Sequence, residues 1–381
     1  MTFDVKVYRS ADEIRAIKDQ WQALEEKSEG VALFQSFEWC AHVLELNRNS
    51  GNEEYYVIAA SQNESLVGLL PLAIWHKKGR KILTGLSEPY QQYTEMLADP
   101  AHRAVDIFEA MHPLLAQSGA DYIHLGQVRH DGPLYAGCEE CLDHAMEEKA
   151  APFVDLTPWN SYDEYYAALK KATRKRLRNA YNRFEREGEL QHHYALEGSM
   201  LESVIDRCFD GRVEWQKRMG LTSRAFQDDS FRTFLNSFKN VTDEDIRPIA
   251  FCLTLDGEAV ADQWGFIYKD RYYAYMSTWN EAHSYSAPGR LQLGEIIKNC
   301  YEIGVKQVDF LIPSVPYKMV YATGEVDASD LIKPLNAKGY LYATLWLKLI
   351  RPKLKALMEA LPAEQRKKIV NMLFNRKSLA R

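Results

Sequence analysis

The sequence predicts a mixed α/β protein, of the α+β type, that consists of two similar halves and a basic helical tail. Helical and strand-like patterns alternate along the chain, and their order repeats once. Apolar residues make up 46% of the 381 residues and charged residues 26%, which is the composition of an ordinary globular protein. Disordered, collagen-like and disulfide-scaffold classes are thereby excluded.

The first half, residues 1–150, shows a strand, two helices, three strands, a helix and a final strand. The initial strand alternates polar and apolar residues, and Ser10 is placed to cap the helix that follows. The predicted positions are 3–8, 10–27, 36–46, 55–60, 66–75, 81–86, 103–117 and 121–125.

The second half, residues 151–339, repeats this order with a longer helical section before a three-stranded meander. In both halves the last helix ends on a glycine, Gly119 or Gly304, and a short apolar strand follows at once. We infer a duplication from this shared order. The predicted positions are 153–156, 161–188, 199–219, 228–239, 248–255, 259–268, 271–278, 289–303 and 307–311.

The tail, residues 340–381, differs electrostatically from the rest of the chain. It carries ten Lys or Arg and two Glu, a net charge of +8, and the −6 of the whole chain leaves −14 for residues 1–339. The pattern predicts two amphipathic helices, at about 340–358 and 363–374. Such helices adsorb to anionic membrane surfaces or dock on their own domain, and the sequence leaves both open.

The location predicted from the sequence is cytoplasmic, or peripheral on the inner face of the cell membrane if the tail binds lipid. The N-terminus is charged from Asp4 onward and has no apolar core of a signal peptide. No apolar run reaches the ~18 residues of a membrane span. The six cysteines do not form a disulfide framework.

Four segments of the second half resemble a known family. They are the basic helix 174–180, the strands 261–266 and 272–275, the turn 285–291, and 304–310 with the following Tyr317-Lys318. Strand, helices, meander, helix and strand is the order of a GNAT acyltransferase domain. Two such domains in tandem resemble the FemAB-like and BioF2-like acyltransferases, a group that includes proteins linked to cellulose biosynthesis.

The resemblance implies tandem GNAT-like domains with mixed central sheets flanked by helices. Domain 1, at 1–150, would be degenerate and structural, and domain 2, at 151–339, would be catalytic. It also implies acyl-CoA as a co-substrate, with no permanently bound cofactor. The usual GNAT pyrophosphate signature, Gln/Arg-x-x-Gly-x-Gly/Ala, is absent from both halves.

The turn before the helix at 289–303 is the predicted coenzyme-binding segment. Its backbone amides and helix dipole suit an anion such as the coenzyme A pyrophosphate. An arginine in it adds a charge that can bind phosphate. A plain helix start is the alternative. The predicted cofactor-binding residues are Ser286, Pro288, Gly289, Arg290 and Leu291.

The predicted catalytic residues are Asp309, Tyr317 and Lys318. Asp309 lies in an apolar strand, where burial would raise its pKa and make it a base for the acceptor ammonium. Tyr317 is a candidate acid for the leaving thiolate, and Lys318 either joins the chemistry or pairs with Asp309. Backbone amides of strand 271–278 would stabilise the oxyanion.

The predicted substrate-binding residues are Asp262, Trp264, Tyr275, Arg174 and Arg178. The first three alternate on the meander, where they line a groove or pack as one face of the sheet. The two arginines share a helix face with other cations. That face is solvated or binds coenzyme phosphates, a phospholipid, a nucleotide-sugar or tRNA.

A metal site is not predicted. Cys138-x-x-Cys141-x-x-His144 resembles half of a zinc site, but no second pair stands at ligand spacing. Nucleotide-binding glycine motifs and the His-Glu-x-x-His motif are also missing from the sequence.

The predicted function is N-acyl transfer from acyl-CoA, or from acyl carrier protein, to an amine. The amine would belong to a lipid such as a long-chain base or amino-lipid, to a sugar, or to a cell-envelope precursor. One alternative is a FemAB-type transferase that uses aminoacyl-tRNA, the single case in which nucleic acid is expected as a partner. Another is a catalytically inactive, membrane-associated assembly factor for exopolysaccharide synthesis.

Overall fold

The structure is a computed structural model. The chain divides into two units, one formed by Met1–Lys149 with Val326–Arg381 and the other by Ala150–Glu325. The ranges that the structure describes are 2–30, 33–46, 53–144, 149–220, 224–226, 229–239, 246–361 and residue 365.

The first unit has a mixed sheet in the order β1-β2-β3-β4-β6-β14. Strands β4 and β6 are parallel, the other neighbours in this order are antiparallel, and β5 and β7 pair with β3 and β14. Its elements are β1 (Asp4–Tyr8), α1 (Ala11–Ala16), α2 (Lys18–Lys27), a 3-10 helix (Leu33–Gln35), α3 (Phe37–Leu46), β2 (Glu53–Gln62), β3 (Ser65–Lys77), β4 (Arg80–Gly85), β5 (Leu97–Ala98), α4 (Ala104–Ala116), β6 (Tyr122–Arg129), α5 (Pro133–Cys138), β7 (Asp143–His144), β14 (Gly324–Pro334, in this unit from Val326), α12 (Ala337–Tyr340), a π-helix (Leu341–Ile350) and α13 (Arg351–Ala360).

The second unit has a mixed sheet in the order β8-β13-β12-β11-β10-β9. Only the pair β12–β13 is parallel among these described strands. Its elements are β8 (Lys149–Asp155, in this unit from Ala150), α6 (Tyr162–Ala168), α7 (Lys171–Phe184), β9 (Leu190–Ala195), α8 (Gly198–Met219), a 3-10 helix (Arg224–Phe226), α9 (Ser230–Asn236), β10 (Ile246–Leu255), β11 (Glu258–Tyr268), β12 (Arg271–Trp279), a 3-10 helix (Glu281–Ser286), α10 (Pro288–Glu302), β13 (Gln307–Asp309) and α11 (Pro316–Met319).

The predicted fold class, mixed sheets flanked by helices, is confirmed. Each unit contains an antiparallel meander, then a helix, then a strand parallel to the last strand of the meander: β2-β3-β4, α4 and β6 in the first, and β10-β11-β12, α10 and β13 in the second. The helices α4 and α10 end near Gly119 and Gly304, which adopt the positive φ that glycine permits.

The structure divides the chain differently from the predicted boundary at residue 339. Residues 328–334 of β14 pair antiparallel with β6, so residues 326–339, expected in the second domain, lie in the first unit. The prediction from the sequence missed β14 and also β9, which contains His192 and His193. In β9 they pair with Leu253 and Cys252 of β10.

The tail is helical over α12, the π-helix and α13. The helix predicted at about 363–374 lies outside the described residues. None of the described helices is both long enough and apolar enough to cross a membrane.

In the first unit, side chains fill the space where the parallel strands β4 and β6 separate. The two strands pair only through Ile82–Tyr122 and Leu83–Ile123. Beyond them, a Cβ on Gly85 would lie 2.1 Å from the Gln91 side chain, and the Thr94 hydroxyl donates to the Gly126 carbonyl at 2.7 Å. The segment 86–96 therefore occupies this gap with protein.

In the second unit, the corresponding strands separate at a β-bulge in β12. Trp264 opposes Met276 and Phe266 opposes Tyr273, so two residues of β12, Ala274 and Tyr275, face Gly265 alone. The parallel pairing of β12 with β13 covers only 271–273 and 307–309. Residues 274–279 of β12 therefore have no strand partner on that side within the described part of the chain.

Gly265 makes this bulge sterically feasible. A Cβ at this position would lie 1.9 Å from the carbonyl oxygen of Tyr273, a backbone atom that cannot rotate away. At Gly289, by contrast, the nearest atom to an added Cβ is Trp279 Cε3 at 3.9 Å. A methyl group added at Gly265 therefore clashes with the backbone, whereas one added at Gly289 does not.

We predict that Gly265→Ala destabilises the protein and that Gly289→Ala, the matched control, does not. Overpacking of this kind costs about 1–3 kcal/mol, because β11 or β12 must move to relieve the clash. The midpoint of thermal unfolding measures the difference. Equal midpoints for the two variants would show that the bulge does not depend on the missing side chain.

Candidate active site

The candidate site lies in the second unit, where β12 leaves β13. Alternate N–H groups of a strand point to opposite sides, so the 274–279 edge directs some of its donors away from β11. Side chains 274–278 are all half-buried, which places this stretch at a surface of the unit rather than in its core. The opening thus offers backbone donors that no described strand uses.

Asp309 closes the inner end of the opening. It is the last residue of β13, pairs with Tyr273 of β12, and is fully buried. Its Oδ1 accepts the Leu311 N–H at 2.8 Å, and its Oδ2 lies 3.9 Å from Nη1 of Arg271. The carboxylate is therefore enclosed by protein, and it stabilises the turn after β13.

Lys318 lies beyond that turn and interacts electrostatically with Asp309. Its Nζ donates to the carbonyls of Leu311 at 2.9 Å and Pro313 at 3.1 Å. Burial lowers its pKa to about 8, the Asp309 carboxylate opposes the shift, and Arg212 adds to it. A lysine in this state exchanges a proton near neutral pH.

Arg212 and Tyr317 lie beside Lys318. Desolvation raises the pKa of the Tyr317 hydroxyl and the Arg212 charge opposes the rise, although 40% of the tyrosine is exposed. Arg212 follows Gly211 in α8, where an added Cβ would lie 2.0 Å from Thr278 Oγ1 of β12. This contact places α8 directly against the free end of β12.

Sequence reasoning missed Arg212 and Arg271 as members of this site. Arg212 is one of several charged residues in a long amphipathic helix, and Arg271 follows a predicted hairpin turn. Neither belongs to a motif, and only the fold brings them to Asp309 and Lys318.

Asp262, one of the predicted substrate-binding residues, is engaged in an ion pair within the protein. Its carboxylate is buried and forms a bidentate pair with Arg207 of α8, with Nε–Oδ2 at 2.7 Å and Nη2–Oδ1 at 2.8 Å. Both oxygens are thereby committed to an ion pair that joins α8 to β11.

Trp264 is also buried rather than open to a ligand. Its ring packs against Phe266 at 5.1 Å and Tyr275 at 5.6 Å between centroids. Tyr275 itself is half-buried in the bulge and contacts Phe231 of α9. Of the three predicted meander residues, Tyr275 alone combines partial exposure with a position at the opening.

The predicted coenzyme-binding segment lies at the start of α10. Ala287 has a left-handed backbone and provides no side-chain cap for the helix. Three of the predicted residues, Ser286, Pro288 and Leu291, are buried, whereas Gly289 and Arg290 are partly exposed. Contact with a ligand is therefore open to Gly289 and Arg290, and the other three shape the turn.

The basic helix α7 carries five cations before Tyr181. It buries one apolar stripe, and none of its five basic residues before Tyr181 has an ion-pair partner among the described residues. At its end, Arg183 Nη1 donates to the carbonyl of Tyr285 at 2.8 Å, which ties α7 to the turn before α10. The five residues are Lys171, Arg174, Lys175, Arg176 and Arg178.

A metal-binding cluster of three or more His, Cys, Asp or Glu side chains is not found in the described residues. Cys138 is buried at the end of α5, and its burial raises its pKa to about 12. The side chains of the candidate site, which are Asp309, Tyr317, Lys318 and the neighbouring arginines, support proton transfer and anion binding.

Comparison with known proteins agrees with this geometry. Residues 171–319 match the family model of the acetyltransferase (GNAT) domain. The solved structure of FemX is similar to the chain with 13% identity and a TM-score of 0.54, over 86% of this chain and 98% of that one. A conserved protein of unknown function from Bacteroides thetaiotaomicron VPI-5482 has 14% identity and a TM-score of 0.51, over 86% of this chain and 100% of its own.

No curated protein sequence matches the chain. At these identities the two structures establish a shared fold, while the family model identifies the type of domain and supports an acyltransferase. Residues 171–319, which include β12, α10 and β13, match the GNAT acetyltransferase domain, and the chain shares its fold with FemX.

Proposed function

We propose that this protein is an N-acyltransferase that moves an acyl group from acyl-CoA to an amine at the opening between β12 and β13. The observation that carries the proposal is the bulge at Ala274 and Tyr275, after which β12 has no strand partner other than β11 among the described residues. Backbone donors at such an edge stabilise the oxyanion of a tetrahedral intermediate, and one donor contributes about 10²–10³ in rate. A carrier protein that holds the same thioester is the alternative donor.

The phosphates of the coenzyme would bind at the start of α10. Partial exposure of Gly289 and Arg290 supports this placement, because helix N-termini and guanidinium groups both bind phosphate. Arg174 and Arg178 of α7, which have no ion-pair partner among the described residues, would bind the more distant phosphate groups. The reaction needs no covalent enzyme intermediate and no resident cofactor.

Lys318, rather than Asp309, is the proposed proton acceptor. The buried Asp309 carboxylate is enclosed by protein, while Lys318 lies beyond it with a pKa near 8. The acceptor ammonium gives a proton to neutral Lys318, its nitrogen attacks the thioester carbon, and the C–S bond breaks. Tyr317 then protonates the thiolate and takes the second proton of the attacking nitrogen in its place, which leaves the neutral amide and the free thiol. Asp309 acts as a positioning residue through its charge on Lys318.

The acceptor is proposed to be an amine on a lipid, a sugar or a cell-envelope precursor. A long-chain base or amino-lipid is the first to test, because the tail combines apolar and basic residues. The second candidate function is transfer from aminoacyl-tRNA. It is favoured by the FemX-like fold together with the unpaired cations of α7.

We predict that coenzyme A species stabilise the full-length protein. A ligand at ~100 times its dissociation constant raises the free energy of unfolding by about 2.7 kcal/mol. Thermal unfolding is measured with CoA, acetyl-CoA, a long-chain acyl-CoA, the matching free fatty acid and bulk tRNA. Arg174→Ala/Arg178→Ala should weaken CoA binding about 10²-fold or more, since each charge-assisted hydrogen bond contributes roughly 1.5–3 kcal/mol.

The control for that variant is Arg247→Ala, which removes an exposed cation from β10. Equal CoA affinity in the control and the double variant would remove α7 from the coenzyme site. A flat response to every CoA species, with a tRNA shift that added salt abolishes, would favour the aminoacyl-tRNA function.

We predict that the rate of transfer rises with pH and levels off above about 8, as Lys318 loses its proton. Because the Asp309 carboxylate stabilises the ammonium form, Asp309→Asn should move the midpoint to lower pH. Lys318→Met should lower kcat by about 10²–10⁴ and remove this limb of the profile. The measurement is kcat against pH, with an acceptor amine that titrates outside this range.

The control is Lys306→Met, which changes an exposed lysine that pairs with Asp270. Loss of turnover in Asp309→Asn at every pH, with a normal unfolding midpoint, would instead identify Asp309 as the base. An unchanged pH profile in Lys318→Met would remove Lys318 from the chemistry.

A further inference from the structure

The helical segment 337–360 of the first unit, called the tail helix below, has apolar residues on two sides. It comprises α12, the π-helix Leu341–Ile350 and α13. A surface helix that packs on its own domain needs a single apolar stripe. The second side therefore needs a separate explanation.

One side of the start of the tail helix is fixed to the first unit. Gly339 packs so closely that an added Cβ would lie 1.7 Å from the Asp121 carbonyl, and Ala343 is fully buried. The Tyr342 ring lies 5.3 Å from that of Tyr122, and the Arg80 guanidinium stacks over it at 3.9 Å. The helix is therefore anchored without its remaining apolar residues.

The other side exposes large aliphatic side chains to solvent. Half of the exposed large apolar residues in the described part of the chain, seven of fourteen, lie between Tyr340 and Leu357. Six of them are aliphatic, are 43–61% exposed and recur along the helix at spacings of one to four residues, a set called the aliphatic stripe below. The stripe consists of Leu341, Leu345, Leu349, Ile350, Leu354 and Leu357.

The sequence of the same helix is strongly basic. Lys348, Arg351, Lys353 and Lys355 fall within its second half, against a single acid, Glu359. Residues 1–339 of the chain carry the opposite charge, −14. The basic residues of this segment therefore favour an anionic surface, and the stripe requires that surface to be apolar beneath its charges.

Aliphatic side chains that alternate with cations along one anchored helix suit the surface of an anionic bilayer. The aliphatic groups enter the acyl boundary, while lysine and arginine heads remain at the level of the lipid phosphates. Each basic residue near such a surface contributes attraction that falls off within a Debye length. A water-exposed stripe of this kind is otherwise unfavourable in a monomeric protein.

We propose that the tail helix is a peripheral membrane-binding element that attaches the first unit to anionic phospholipid through the aliphatic stripe. Binding requires both the stripe and the cations. It does not involve Asp309, Lys318 or the coenzyme-binding segment, so it stands or falls independently of the proposed acyl transfer.

Co-sedimentation of the full-length protein with vesicles tests the proposal. One set of vesicles is pure phosphatidylcholine, and the other contains one third phosphatidylglycerol. The wild-type protein should bind the second set, with little binding to the first, and added salt should weaken the binding. Leu349→Glu should reduce the partition coefficient about tenfold or more, because it replaces buried aliphatic area with a charge that the lipid repels.

The matched control is Leu196→Glu, which makes the same change at an exposed leucine before α8. It should bind vesicles like the wild type. Lys353→Glu, at an exposed cation, should weaken binding to the anionic vesicles and leave the midpoint of thermal unfolding unchanged.

Three results would overturn the proposal. The first is no binding of the wild type to anionic vesicles at low salt. The second is equal binding of Leu349→Glu and the wild type. The third is a wild-type dimer in light scattering that Leu349→Glu dissociates while neither protein binds vesicles, which would make the stripe a contact between copies of this chain.

Discussion

The absence of a side chain at Gly265 is the constraint on which the candidate site depends. Because β11 approaches the Tyr273 carbonyl so closely there, β12 can hold an extra residue and bend away from β13. A regular ladder would instead continue the pairing beyond residue 273 and use the backbone donors of β12. Because of the bulge, residues 274–279 of β12 pair with β11 but not with β13, although β12 lies in the middle of the sheet. The backbone donors on this side are those that the proposed acyl transfer requires.

In each unit the two parallel strands separate after a short stretch of pairing, and the units differ in what occupies the space between them. In the first unit the segment 86–96 puts Gln91 and Thr94 between the separating parallel strands. In the second unit the chain after β12 continues into a 3-10 helix and α10, and the gap remains lined by half-buried residues. This difference agrees with the general finding that function belongs to sites rather than folds.

Most elements could be predicted from the sequence, because hydrophobic periodicity and turn residues act locally. The meander, α4, α10 and their terminal glycines lie close to the predicted positions. The strand β9 could not, since its side chains are mostly polar and only pairing with β10 makes it a strand. The ion pair of Asp262 could not be predicted for a similar reason: its partner Arg207 is 55 residues away, and no local sequence pattern indicates the pair.

The sequence by itself determined the order of most helices and strands and the charge difference between residues 1–339 and the tail. It also identified the candidate residues at the start of α10 and after β13. Only the tertiary structure decided that Asp309 is enclosed, that Lys318 has a lowered pKa, and that Arg212 and Arg271 lie beside them. The physical reason is that burial and electrostatic interaction depend on what surrounds a side chain. Those surroundings come from strands and helices that are distant in sequence.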